Sequence, residues 1–171
     1  MNKFVLFLIG IFAVACTEIS YKEPQPRGIQ ALTKIPSSLH GVYLMDNDTV
    51  TFFENGLRGK ENGKEEVLTL SDSIVLKKYK KHYFISYRDG NVWLLRILRK
   101  DKNGDLYFME MDHVPDDEAQ RKIFLDKLSA EIPVIRSDPH YIIDPSPKEL
   151  YRLIKKGYFK DDGVPGLKRI R

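Results

Sequence analysis

The chain predicts an α+β fold: an antiparallel β-meander of about eight strands followed by two helices packed on it. Two observations carry this. From Leu39 to Met111 short apolar runs alternate with turn signals such as Asn55-Gly56, Asn62-Gly63, Asp89-Gly90 and Asn103-Gly104. Two later segments carry helix-start signals, at Pro115-Asp-Asp-Glu118 and Ser146-Pro-Lys-Glu149. Asp-Gly and Asn-Gly supply the positive backbone angles of a tight type I′ hairpin turn.

The strands fall at Gly41–Met45, Thr49–Phe53, Leu57–Glu61, Glu65–Leu70, Ser73–Tyr79, His82–Arg88, Asn91–Arg99 and Asp105–Met111. Connections this short leave no room for crossover helices, which argues against a parallel sheet. In Asn91–Arg99, Trp93, Leu95 and Ile97 share one face, and Val92, Leu94 and Leu98 share the other. A strand apolar on both faces is covered on both, so this one is expected at the centre.

The cover is expected from the C-terminal third. A first helix spans about 116–130, with Ala119, Ile123, Phe124 and Leu128 as its apolar stripe and acidic residues at its positive end. A second spans about 146–156. Ser146 is its N-cap, Pro147 its first residue, Glu149 the other half of a capping box, and Gly157 its stop. Leu150, Leu153 and Ile154 form its buried stripe. Tyr141–Ile143 suggests one more edge strand, and Lys160–Arg171 reads as a loosely held basic tail.

At 171 residues, 42% hydrophobic and 30% charged, the chain is long enough for one domain with a real core. The formal charge of +4 fits a lysine-rich solvated surface. The division expected is a signal peptide over 1–15, a lipidated N-terminus and tether over 16–36, and a single α+β domain over 37–171. The tether rests on Pro24, Pro26 and Gly28 among polar residues. The alternative is a segment laid against the domain through Ile29, Leu32 and Ile35.

Lys3 followed by the apolar run Phe4–Ala15 has the form of a targeting leader, too short to span a bilayer. Ala13-Val14-Ala15 satisfies the small-x-small rule of ordinary signal cleavage. Ala13-Val14-Ala15-Cys16 also resembles the lipobox of bacterial lipoproteins, with Ala13 where Leu is usual. The apolar run continues to Cys16, and Cys16 is the only cysteine in the chain, which favours the lipobox. The resemblance covers the leader and Cys16 alone. It implies diacylglyceryl and further acylation at Cys16, an anchor in the envelope of a Gram-negative cell, and, with Thr17 rather than Asp next, the outer membrane.

Little in the remainder points to chemistry. His40, His82, His113 and His140 are not spaced as metal ligands, and no second cysteine joins them. Asp112-His113 beside Asp116 and Asp117 is the one local His–carboxylate group, at a strand-to-helix junction where capping explains the acids. Asp46-Asn47-Asp48 lacks the glycine and distal glutamate of a calcium loop. Lys77-Lys78-Tyr79-Lys80-Lys81 reads either as a solvated hairpin tip or as a contact for anionic headgroups. The aromatics Tyr79, Tyr83, Phe84, Tyr87, Trp93, Tyr107 and Phe108 read as sheet core or as the lining of a lipocalin-like open barrel. The expectation is a non-enzymatic envelope lipoprotein with no cofactor, no metal and no nucleic-acid partner. Its role would be structural or protein-interacting, with a small-ligand barrel as the alternative.

Overall fold

The computed structural model describes residues 18–45, 48–61, 64–111, 113–161 and 166–171. Cys16, the leader, Asp46-Asn47, Asn62-Gly63 and Asp112 lie outside them.

Eight expected strands are present within a residue or so of their predicted bounds. They are β2 (Gly41–Met45), β3 (Asp48–Phe53), β4 (Gly56–Glu61), β5 (Lys64–Thr69), β6 (Ile74–Tyr79), β7 (His82–Asp89), β8 (Val92–Lys100) and β9 (Leu106–Met111). Five more join them: β1 (Ile19–Tyr21), β10 (Val134–Ser137), β11 (His140–Ile143), which is the strand expected at Tyr141–Ile143 but paired on both sides and so not an edge, β12 (Phe159–Asp161) and β13 (Lys168–Arg169). The helices are α1 (Glu118–Ser129) and α2 (Pro147–Lys155).

The strands form two sheets rather than one meander or a barrel. The smaller runs β13-β2-β3-β4-β5. The larger runs β10-β11-β1-β8-β7-β6, with β9 also on β8 and β12 on β9. The chain passes between sheets at Leu70–Ser73, where Leu70 donates to the Asn55 carbonyl and Ser71 to that of Ile74. Gly56 is required beside this corner, because an added Cβ would sit 2.1 Å from the Leu68 carbonyl oxygen.

Strand β8 is the centre, as its two apolar faces predict. Adjacent residues Ile97 and Leu98 are both 0% exposed, yet they belong to different cores. Leu98 packs with Leu76, Tyr83 and Phe108 of its own sheet and with Tyr43, Val50 and Phe52 of the other. Ile97 packs with Phe84 and Leu95 beneath Leu128 of α1 and Leu150 and Leu153 of α2. The space between the sheets is filled, leaving a cavity of about 30 Å³ lined by Leu39, Phe52, Leu76, Ile85 and Leu98.

Helix α2 follows its sequence signals closely. Ser146 and Glu149 form both halves of the capping box. At the other end Gly157 has φ +81° and donates to the Ile154 carbonyl, while Tyr158 donates to Leu153. That pair of bonds is a Schellman ending, and it sets the direction of Tyr158. Helix α1 is capped by Asp117, whose side chain accepts from the Gln120 amide. Its stripe is narrower than expected: Leu128 is buried, Phe124 half-buried, and Ile123 is 56% exposed.

Three expectations are corrected. The segment from Glu18 is not a tether: Ile19 and Tyr21 are buried, β1 pairs in parallel with β11, and Tyr21 pairs with Trp93. Buried Lys77 ties this segment down, donating to the carbonyls of Pro24 (2.6 Å) and Pro26 (3.1 Å). The parallel pair is possible because more than a crossover loop, the whole intervening fold, separates its strands. The C-terminal tail is not loose either. Leu167 is buried and exchanges two hydrogen bonds with Leu106, and the next residues pair with Tyr43 and Leu44, so one segment joins both sheets. Finally, the Asp89-Gly90 turn is not type I′: Asp89 pairs with Val92, and of the central residues only Gly90 has positive φ.

Because opposite faces of β8 are equally buried, Ile97→Ala and Leu98→Ala should each destabilise by about 2–5 kcal/mol in urea unfolding. Trp93→Ala, at a half-buried position, should cost less. A near-neutral result for either aliphatic change would mean that one face of the sheet is not covered.

Candidate functional site

The least ordinary electrostatics lie where β8 runs out of partners. One edge of β8 pairs with β7 along its length. The other is shared: β1 meets it at Trp93, and β9 meets it only from Ile97 to Lys100. The two strands diverge around Arg96, making a fork in the sheet. Arg96 is bound there to Glu110 at 2.6 Å, with the two side chains only 12% and 13% exposed. His113 Nε2 is 3.1 Å from the same carboxylate, and Glu18 lines the same space of about 20 Å³.

The fork therefore gathers two carboxylates and one guanidinium around one small space. Burial raises the Glu18 carboxyl above its usual range, and Glu110 adds to this, while Arg96, His113 and His140 oppose it. Tyr21 and Tyr87 have buried hydroxyls without a hydrogen-bond partner, and burial holds both well above the ordinary phenol range. Such phenols stay protonated and do not serve as bases. The arrangement stores charge; it offers no nucleophile beside a base.

The second feature is a groove of about 650 Å³ between α1 and the end of α2. Pro115, Ile123, Phe124 and Tyr158 give it an apolar lining, and Gln120, Lys127 and Lys156 complete it. Tyr158 is fixed by its hydroxyl, which donates to the Lys127 carbonyl. Lys156 is held by Glu131 at 2.6 Å.

The third is a knot of rings and cations at the β6–β7 turn. Tyr151 of α2 stands edge-on to Tyr79, with centroids 6.2 Å apart, and tilted to His82 at 5.9 Å. Lys80 Nζ lies 3.9 Å from the Tyr151 centroid and Lys155 Nζ 5.2 Å from it. His82 is buried with its Nδ1 unpartnered.

The residues singled out from sequence are scattered over these features. The five-residue basic run is split: Lys77 is buried, and Lys78, Lys80 and Lys81 are exposed. His113 joins Glu110 rather than Asp116 or Asp117, and Asp117 is a helix cap. His40 bonds the Ile35 carbonyl through Nε2. Tyr83, Phe84, Tyr87 and Phe108 are core residues, while Tyr79, Trp93 and Tyr107 are half-buried. Among the described residues no three His, Cys, Asp or Glu side chains come together as metal ligands. No described helix is long and apolar enough to cross a membrane. The fork was not visible in the sequence, since Arg96 and Glu110 come from two strands and Glu18 from the residue before a third, with no common spacing.

No family model matches this chain, and no curated protein or solved structure matches it either.

Two outcomes follow from these electrostatics. Glu110→Gln should destabilise by roughly 2 kcal/mol, less than a fully buried pair loses because water reaches both side chains. It should also lower the Glu18 pKa toward its ordinary range, as read by carboxyl NMR, because a like charge has gone. An unmoved Glu18 would mean that the two carboxylates do not share the fork.

His82 titrates below the usual histidine range, through burial first and then Lys81 and Arg99. Its folded-state pKa lies below the unfolded one, so its contribution is complete above about pH 6.5 and is lost as pH falls below that. Glu18 acts in the opposite sense over part of this window. The difference between wild type and His82→Phe isolates the histidine: the variant's melting temperature should fall less from pH 7 to about pH 5. Parallel curves would rule out a buried, titrating His82.

Proposed function

We propose that this is a lipid-anchored protein of the bacterial envelope, held through Cys16, that works by contact with another envelope protein rather than by catalysis. The observation that carries the contact role is the groove of about 650 Å³ beside α1, where Ile123 is left 56% exposed over an apolar floor. Ile123 lies on the apolar stripe of α1, yet it faces this groove and not the core that takes Leu128. Lys127 at its margin suits an acidic segment that carries an apolar side chain into the recess, Lys156 being already paired with Glu131. The anchor rests on the lipobox-like Ala13-Val14-Ala15-Cys16 and on Cys16 being the sole cysteine.

A small-ligand role for the sheet is the weaker alternative. The interior between the sheets offers about 30 Å³, room for a water molecule and far below an ordinary ligand pocket of ~300 Å³ or more.

Cys16→Ser should abolish labelling by a clickable fatty acid and release the protein from membranes. A mutant that stays bound, with a wild type that takes up no label, would end the anchored reading. Separately, a photocrosslinker at Gln120 should capture one defined acidic partner in native membranes, and Ile123→Asp should remove that adduct without changing the melting temperature. An adduct indifferent to Ile123→Asp would place the contact elsewhere.

A further inference from the structure

We propose that the β6–β7 turn and the adjoining side of α2 dock on the anionic headgroups of the membrane that holds the anchor. This rests on the lipid-anchored reading, and three observations extend it to a surface.

The first is the length of chain outside the described fold. Two residue steps separate Cys16 from Glu18, a reach of at most about 7 Å. Glu18 is already fixed, since its carbonyl accepts from Tyr141 and its neighbour Ile19 is buried. A domain without slack cannot stand away from its anchor, so one of its surfaces must meet the headgroups.

The second is direction. β1 is antiparallel to β8 with Tyr21 opposite Trp93, so the Glu18 end of β1 faces the C-terminal end of β8. At that same end Tyr83 of β7 sits opposite Leu98, and Tyr79 opposite His82 closes the β6–β7 turn. Glu18 stands level with Arg96, and β1 points its Glu18 end toward the end of the sheet that carries the turn.

The third is chemistry. Lys80, Lys81 and Lys155 are exposed there, with Arg99 half-buried alongside. The acids of neighbouring segments are committed: Glu149 to the cap of α2, Glu131 to Arg152 and Lys156, and Asp101 to the backbone amides of its own loop. His82 is depressed mainly by its burial, and Lys81 and Arg99 push it further the same way. Lys80 and Lys155 both lie against the Tyr151 ring, which holds two long side chains in a narrow range before any ligand arrives. Ordering them in advance reduces the entropy lost on binding. Lysines flanking half-buried tyrosines are the combination that suits a headgroup layer, where the rings sit at the apolar boundary and the ammonium groups meet phosphate.

The test is amide hydrogen exchange on the mature protein, isolated from membranes and placed in nanodiscs. In discs with about 30% anionic phospholipid, residues 79–83 and 151–156 should exchange at least ~5-fold more slowly than in zwitterionic discs. The protection should vanish at about 0.5 M salt and in Lys80→Glu/Lys155→Glu. Unchanged exchange at Ile97 shows that this double variant is folded. Equal rates in the two discs, or protection that survives charge reversal, would overturn the proposal. So would protection seen only in native membranes and never in protein-free anionic discs, which would assign the surface to an acidic protein. Fatty-acid labelling of the same preparation reports on the anchor independently, so loss of the anchor and loss of docking are told apart.

Discussion

The constraint on which everything else depends is the burial of β8 on both sides. Ile97 and Leu98 are neighbours, so strand geometry sends them in opposite directions, and both are shut off from water. One sheet cannot do this alone. Tyr43, Val50 and Phe52 must come over from the smaller sheet to meet Leu98, and α1 and α2 must lie against Ile97. The three layers follow from one strand whose sequence has no face to give to solvent.

The fork is the complement of that arrangement. β8 is long enough to outrun any single neighbour on its outer edge, so β1 and β9 divide it. Where they part, the ladder lapses, and the polar groups Arg96, Glu110, Glu18 and His113 occupy the gap. Charge gathers here because the backbone has left room for it. The cluster is thus a product of topology, and the surfaces that look outward lie elsewhere, on the helices and at the β6–β7 turn.

The strands from Gly41 to Met111 and the cap of α2 were legible because their signals are local: alternation, Gly-containing turns, and Ser146 three residues before Glu149. β1 and β13 were not, because each is a two- or three-residue piece whose partners are distant, Ile19 pairing with Tyr141 and Arg169 reaching the His40 carbonyl across 129 residues. Lys77 shows how composition can mislead. It sits in a run of lysines that reads as solvated, yet strand parity puts it on the face of Val75 and Tyr79, and that face is covered. Parity held the better signal. Ile123 failed the other way, since helical spacing places it on the apolar stripe of α1 and the groove leaves it open.

The segment that includes Leu167 and β13 has one more consequence. It hydrogen-bonds to Leu106 of one sheet and then to Tyr43 and Leu44 of the other, while β1 waits for β11 to arrive. Early strands thus find their final neighbours only after late ones exist, which makes folding depend on long loop closures and slows it. The hairpins β2–β5 and β6–β9 pair with their sequence neighbours and can form first, but the two sheets are stitched together only when the last segment arrives.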